Sequence, residues 1–178
     1  MTRAHRATAY LSLGSNVEPE KNLPAALRLL AGEVRILGVS RVYATEPIGP
    51  PGQPDFLNAA VSITTERGPA ELKRGVLRPI EARLDRERSG NPYEPRTIDL
   101  DLLWWDGSGG PVTEPDLLTR RHLARPLADV APDLVHPETG ESIRELADRL
   151  VREQPDVRIE VVDLPGWRRA LSSPVPEP

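Results

Sequence analysis

Pro95-Arg96-Thr97-Ile98-Asp99-Leu100-Asp101-Leu102-Leu103-Trp104-Trp105 sets two carboxylates into an otherwise apolar run of β type. Side chains alternate faces along a strand, so Asp99 and Asp101 share one face, roughly 6–7 Å apart. Like charges at that range on a half-buried sheet repel unless a cation lies between or beside them. A bare D-x-D is more often a solvent-facing pair. The basic residues nearby change that reading: Arg96 stands three positions before Asp99, and Arg86 and Arg88 precede it in the loop-like run Glu87–Pro95. Oxygen-only ligands suit Mg²⁺, which takes one or two protein carboxylates and completes its shell with water and substrate phosphates. Arginines converging on such a pair are what phosphoryl or pyrophosphoryl transfer requires.

Worked outward, the same strand closes a β-α-β-β-α-β order. Ala7–Leu13 reads as a buried strand stopped by Gly14-Ser15-Asn16, where Ser15 or Asn16 could cap the helix that follows over Glu20–Leu30. Val34–Tyr43 reads as one strand and Phe56–Thr65 as the next, separated by the proline-rich loop Thr45–Pro54. Pro69 opens a second helix to about Arg86, which Pro79 should kink. Thr97–Trp105 completes an α+β, ferredoxin-like βαββαβ antiparallel sheet with helices on one or both faces. A C-terminal extension follows, helical over Leu123–Val130 and Ser142–Val151 and a strand over Val157–Val162. Trp104 and Trp105 read as packing residues, His5 and His136 as surface.

Bulk composition narrows the classes. With 178 residues, one well-buried domain is the economical count: 1–165, followed by a proline-rich tail, 166–178, read as extended or disordered. A formal net charge of -4 supplies no basic field for nucleic acid. The absence of cysteine removes disulfides, thiolate metal sites and cysteine nucleophiles. No apolar run approaches the ~20 residues of a membrane span, and no signal-like segment opens the chain. A cytoplasmic protein is expected.

Four motifs now stand in order: Leu13-Gly14-Ser15-Asn16; Tyr43-x-Thr45-x-Pro47-Ile48-Gly49; Gln53-Pro54-Asp55-Phe56-Leu57-Asn58-Ala59-Ala60; and Pro95–Asp101. In that order and spacing the chain, over roughly residues 7–150, resembles the 6-hydroxymethyl-7,8-dihydropterin pyrophosphokinase family of the folate pathway. The resemblance implies Mg²⁺-dependent transfer of pyrophosphate from ATP to the hydroxymethyl group of the reduced pterin, releasing AMP. It implies two Mg²⁺ ions on Asp99 and Asp101, a triphosphate contact and catalytic role for Arg96, loop arginines at Arg86 (also catalytic) and Arg88, and a nucleotide-side glutamate at Glu81. It implies a pterin pocket of Thr45, Ile48, Phe56 and Asn58. The partners implied are ATP and the pterin, acting on a monomer. No G-x-x-x-x-G-K-[ST] is present, which excludes a P-loop.

The chain departs from the family pattern after the aspartate strand. Glu114–Leu127 is shorter than usual and holds no Pro-His pair; counting back from Pro126-Leu127, Arg120 takes a phosphate-side arginine position and His122 the second pterin-stacking position. Arg120 or Arg121 is expected to supply the missing positive charge. A glycine before the loop arginine is Asp85 here. The competing readings are a non-catalytic or degenerate nucleotide- or pterin-binding homologue of the same fold, and an unrelated ferredoxin-like Mg²⁺ nucleotidyltransferase.

Overall fold

The computed structural model describes residues 6–49, 51–88, 90–91 and 93–172; His5 and the end of the tail, 173–178, lie outside the described residues. Among these, seven strands form one antiparallel sheet. They are β1 (Ala7–Ser15), β2 (Arg35–Val39), β3 (Val42–Thr45), β4 (Phe56–Thr65), β5 (Asp99–Gly107), β6 (Gly110–Thr113) and β7 (Ile159–Val162). The order is β6-β5-β1-β4-β3-β7, with β2 also paired to β4. β1 sits between β4 and β5, so Gly14 pairs with Asn58 on one side and Asp99 on the other. That single register brings two of the quoted motifs across one residue.

Helices cover both faces. α1 (Pro19–Glu33) and the helix formed by α2 (Pro69–Leu72), a π-helical stretch (Lys73–Leu77) and α3 (Arg78–Arg83) pack Leu23, Leu27, Leu30, Val76 and Ile80 against Ala9, Leu11, Leu13, Val61 and Leu100. On the other face, α4 (Arg121–Val130) and α5 (Ile143–Glu153) gather Ala124, Leu127, Leu146 and Leu150 around Leu103 and Trp104. A β-bulge makes this partition possible: Tyr10 pairs with Trp104 and Leu11 with Leu102, leaving Leu103 extra. Leu103 and Trp104 therefore serve one core while Leu102 and Trp105 serve the other. Both tryptophans are packing residues, as expected.

The kink anticipated at Pro79 takes the form of the π-turn directly before it. Proline lacks an N–H and its ring clashes with the carbonyl four residues back, and a wider turn relieves that clash without ending the helix. The single strand expected over Val34–Tyr43 is two. At the break, the Ala60 N–H donates to Ser40 Oγ (2.8 Å), and Arg41 donates to Asp129 through its backbone N, Nε and Nη2. Neither Ser15 nor Asn16 caps α1; its N-cap is Glu18 in the left-handed region, without a side-chain cap bond. The β6 hairpin went unforeseen because its strand is almost wholly exposed and carries no apolar alternation. α5 begins with a complete Ser142/Glu145 capping box.

The tail read from Pro165 onward is not loose at its start. Leu164, Trp167 and Ala170 are buried in the main core, and the short 3₁₀ turn Arg168–Leu171 lies on α1. Trp167 Nε1 donates to the Ser40 carbonyl at 2.9 Å, satisfying its polar atom as the ring is buried. His136 is also buried rather than on the surface: its ring meets Trp104 edge-on at 5.7 Å, and its Nδ1 accepts from the Glu138 N–H at 3.3 Å. No described helix is long and apolar enough to cross a membrane.

Trp167 lies in a segment whose composition suggested disorder, so its substitution tests the packing directly. Trp167→Ala should lower the unfolding free energy by about 3–5 kcal/mol, the usual cost of emptying a buried tryptophan site. Urea unfolding followed by circular dichroism measures this, and a loss below ~1 kcal/mol would show that the segment does not bear on the core.

Candidate active site

A cavity of about 430 Å³ opens where the C-terminal end of β1, the N-terminal ends of β4 and β5, and the start of α4 meet. Nine of the residues singled out from sequence line it: Thr45, Ile48, Phe56, Asn58, Arg96, Asp99, Asp101, Arg120 and His122. The other three do not. Glu81, Arg86 and Arg88 stand behind the aspartate strand and act on it from there.

Asp99 and Asp101 project from one face of β5, with buried Leu100 on the other. Asp99 accepts from Arg96 Nη1 in a short ion pair, and Arg86 Nη2 lies 3.9 Å away. The Arg86 side chain is only 6% exposed, and its Nε and Nη1 have no hydrogen-bond partner among the described residues. Burial lowers its pKa from the ordinary arginine value, partly offset by Asp99. Asp101 is pushed up to about 6, first by burial and then by the Asp99 charge; Lys73 Nζ, 4.0 Å away, pulls the other way. Lys73 belongs to the π-turn, and nothing in the sequence marked it as facing this strand.

Glu81 is 2% exposed and works at two ends. Its Oε1 accepts from the Leu100 N–H at 2.9 Å, and its Oε2 from Arg88 Nη2 at 2.6 Å. It ties the loop to the strand between the two aspartates, and this bond raises the Arg88 pKa. Glu81 is thus a positioning group here and does not line the cavity.

The opposite wall is built around Asn58, which is 7% exposed. Its Nδ2 donates to Thr45 Oγ1 at 2.8 Å, which leaves Oδ1 as the acceptor. A Cβ on Gly14 would lie 3.0 Å from that Oδ1, so glycine at 14 is what lets the amide lie across β1. Phe56 flanks the same space. His122 contributes a largely desolvated ring: burial, then Arg120, lowers its pKa to about 4, so it is neutral at neutral pH.

Asn16, read from sequence as a motif residue and a cap candidate, joins two loops of the site. Its Oδ1 accepts from the Arg96 N–H at 2.7 Å, and its Nδ2 donates to Gln53 Oε1 and to the Pro54 carbonyl, both at 3.3 Å. It therefore holds the aspartate-strand loop and the proline-rich loop to the end of β1. Sequence reading also missed Glu46, Glu94, Glu114 and Asp116 as lining residues. The two candidates for replacement charge separate. Arg120 lines the cavity beside Asp116, whereas Arg121 is buried and donates through Nη1 to the carbonyls of Gln154 (2.6 Å) and Val157 (2.5 Å).

Residues 10–132 match the family model described as 7,8-dihydro-6-hydroxymethylpterin-pyrophosphokinase (HPPK). The chain belongs to this family. Its members are diphosphokinase transferases of folate biosynthesis. A 2-amino-4-hydroxy-6-hydroxymethyldihydropteridine pyrophosphokinase of Haemophilus influenzae is 33% identical, covering 83% of this chain and 99% of that protein. That of Pseudomonas aeruginosa is 36% identical over 77% of this chain and 88% of its own length. The folic acid synthesis protein fol1 of Schizosaccharomyces pombe is 37% identical over 80% of this chain, which spans only 20% of it. A crystal structure of Plasmodium falciparum HPPK-DHPS with pteroate superposes with a TM-score of 0.64 at 14% identity, covering 88% of this chain and 44% of that one. At that identity the likeness concerns the fold.

Asp85, which the resemblance aligns with a glycine, has a backbone in the left-handed region, with φ +56. Aspartate is among the few residues that tolerate this region. The chain thus turns into Arg86 through a conformation that glycine would also adopt.

The raised Asp101 pKa has a stability consequence in metal-free protein. The folded state holds this proton more tightly than the unfolded chain, whose value is near 3.8, so stability is fully present below about pH 4 and declines as pH rises through about 6. Because the side chain is 44% exposed, cavity water screens part of the effect. With EDTA present, Asp101→Asn should be more stable than wild type at pH 8 by on the order of 1 kcal/mol, and the gap should close below about pH 4. Thermal melts across this pH range check both the sign and the window.

Proposed function

We propose that the chain is a single pyrophosphokinase domain that transfers the terminal diphosphate of ATP to the hydroxymethyl oxygen of 6-hydroxymethyl-7,8-dihydropterin, releasing AMP. The observation that carries the reading is the sharing of one cavity by Asp99 and Asp101 on one wall and the Asn58, Thr45 and Phe56 group on the other. A nucleotide phosphate chain and a flat heterocycle would meet between them. In the same spirit we place the fold in the ferredoxin-like class, on the strand order β5-β1-β4 flanked by β2 and β3, and take the protein as a cytoplasmic monomer acting on these two small molecules.

Charge supports the need for divalent cations. Six carboxylates line the cavity, from Glu46, Glu94, Asp99, Asp101, Glu114 and Asp116, against the guanidinium groups of Arg96 and Arg120. A triphosphate entering alone would meet net repulsion. The donor set of Asp99 and Asp101 is all oxygen, which suits Mg²⁺, and two carboxylates are the usual protein share for that ion. When bound, Mg²⁺ would neutralise triphosphate oxygens and template the in-line displacement; we propose two ions. Arg96, which lines the cavity and pairs with Asp99, would face phosphate oxygens there, while buried Arg86 supports the charge from outside the cavity wall. Arg88 holds Glu81 and with it the strand.

On the other wall, Asn58 Oδ1 accepts from the N–H edge of the pterin, Thr45 orients that amide, and Phe56, Ile48 and neutral His122 enclose the ring. Arg120 supplies positive charge at the mouth.

Incubation with Mg²⁺, ATP and the reduced pterin tests the reading: AMP and pterin diphosphate should form together. ATP binding without AMP release would favour a non-catalytic homologue. Asp99→Asn and Asp101→Asn should each abolish turnover with the fold intact by circular dichroism, and near-normal AMP release from either at saturating Mg²⁺ would overturn the metal assignment. Asn58→Ala should weaken pterin binding by about 1–3 kcal/mol in calorimetry while leaving ATP affinity nearly unchanged. Arg120→Ala should lower the transfer rate at least about tenfold, or ~1.4 kcal/mol of transition-state stabilisation.

A further inference from the structure

The connection between β3 and β4, residues 46–55, carries Glu46, Ile48 and Gln53 into the cavity wall. Between its roots this loop is held against Tyr93, another residue of the cavity wall. Gln53 Nε2 donates to the Tyr93 carbonyl, and Gly49, at φ +127, lies so close under the Tyr93 ring that a Cβ there would come within 2.5 Å of it. Its roots carry Glu46 and Asp55, two carboxylates that flank the Thr45–Phe56 register pair. Both meet one guanidinium. Arg158 Nη2 lies 2.5 Å from Asp55 Oδ2, and its Nε lies 3.4 Å from Glu46 Oε1. Arg158 stands immediately before β7, whose Ile159 pairs with Thr45, and lies beyond residues 10–132 that match the family model.

The backbone ahead of Arg158 is itself anchored. Buried Arg121 grips the carbonyls of Gln154 and Val157, and its neighbours Arg120 and His122 line the cavity. An unbroken path thus runs from the first turn of α4 through Arg121, Val157 and Arg158 to both ends of the 46–55 loop.

We propose that Arg158 is a positioning residue that latches the 46–55 loop over the pterin side of the cavity, and that it neutralises Glu46 at the rim of a site that must admit a polyanion. Without it, two like charges sit at the loop roots and the loop loses its only described ion pairs. The loop then closes on the pterin at a larger ordering cost, which weakens that ligand more than ATP. The inference rests on the pterin assignment made above, but the loop itself can be followed without either substrate.

The experiment compares the full chain with Arg158→Glu, Arg158→Lys and the charge-swapped pair Arg158→Glu with Asp55→Arg. Hydrogen exchange reports the 46–55 loop, calorimetry the affinities for 6-hydroxymethylpterin and ATP, and thermal melts the fold. Arg158→Glu should speed exchange in the loop and weaken pterin about tenfold, with ATP affinity within about twofold and the melt little changed. Lysine should restore part of the affinity, and the charge swap most of it. Unchanged loop exchange, equal losses for both ligands in step with a lowered melt, or no recovery in the charge swap would each overturn the latch. If wild type binds no pterin, the functional reading fails, and the exchange data still decide whether Arg158 holds the loop.

Discussion

Repulsion between Asp99 and Asp101 is the constraint around which this molecule is arranged. Strand geometry fixes the two carboxylates on one face, and burial plus mutual charge hold Asp101 near a pKa of 6. A pair of this kind destabilises a sheet unless its surroundings answer it. The answer comes from three cations: Arg96 from the preceding turn, Arg86 at 3.9 Å from Asp99, and Lys73 from the π-turn. Glu81 adds negative charge of its own, yet its carboxylate is spent on the Leu100 amide and on Arg88, so it fixes where the strand lies and not what the cavity holds. The balance struck is one in which Arg96 and Arg86 supply the positive charge nearest Asp99.

Placing that pair at a cavity requires the strand to serve two cores. Were the alternation of β5 unbroken, Leu103 and Trp105 would share the aspartate face and Trp104 the opposite one. The bulge at Leu103 changes this. It keeps Leu103 on the aspartate face and adds Trp104 to it, giving α4 and α5 an apolar surface directly beyond the carboxylates. α4 is thereby seated so that Arg120 and His122, at its start, reach the cavity. Packing on one end of the strand thus sets the chemistry on the other.

Where the sequence was legible, the reason was local. The period-2 pattern of Phe56–Thr65, the apolar stripe of α1 and the D-x-D strand each declare themselves within ten or so residues, and nine of twelve proposed site residues line one cavity. What failed was non-local. The break at Ser40 depends on Arg41 meeting Asp129 and on Trp167 reaching the Ser40 carbonyl, contacts 88 and 127 residues apart in sequence. Trp167 and Ala170 fell in what read as a proline-rich tail because composition cannot tell spaced apolar residues with a waiting cleft from those without one. His136 lacked visible partners for the same reason: Trp104 becomes its neighbour only after folding. The roles of Asn16 and Lys73 were hidden in side-chain reach and in a helix irregularity.

The departure from the family pattern before Pro126 reads differently once the site is assembled. A histidine facing phosphates must be able to carry charge, but the histidine present, His122, is desolvated and lies beside Arg120, which together hold it near a pKa of 4. It is therefore an uncharged ring at neutral pH, suited to the apolar side of a heterocycle and unsuited to a phosphate. Of the two neighbouring arginines only Arg120 lines the cavity, since Arg121 is committed to the Gln154 and Val157 carbonyls. Arginine does not titrate in the working range, so the charge that Arg120 brings to the cavity wall is independent of pH there. Arg121 in turn links α4 to the segment that carries Arg158. Arg120 is the N-cap of that helix, so its place at the cavity is set by a helix whose other face, with Ala124 and Leu127, is fixed in the second core.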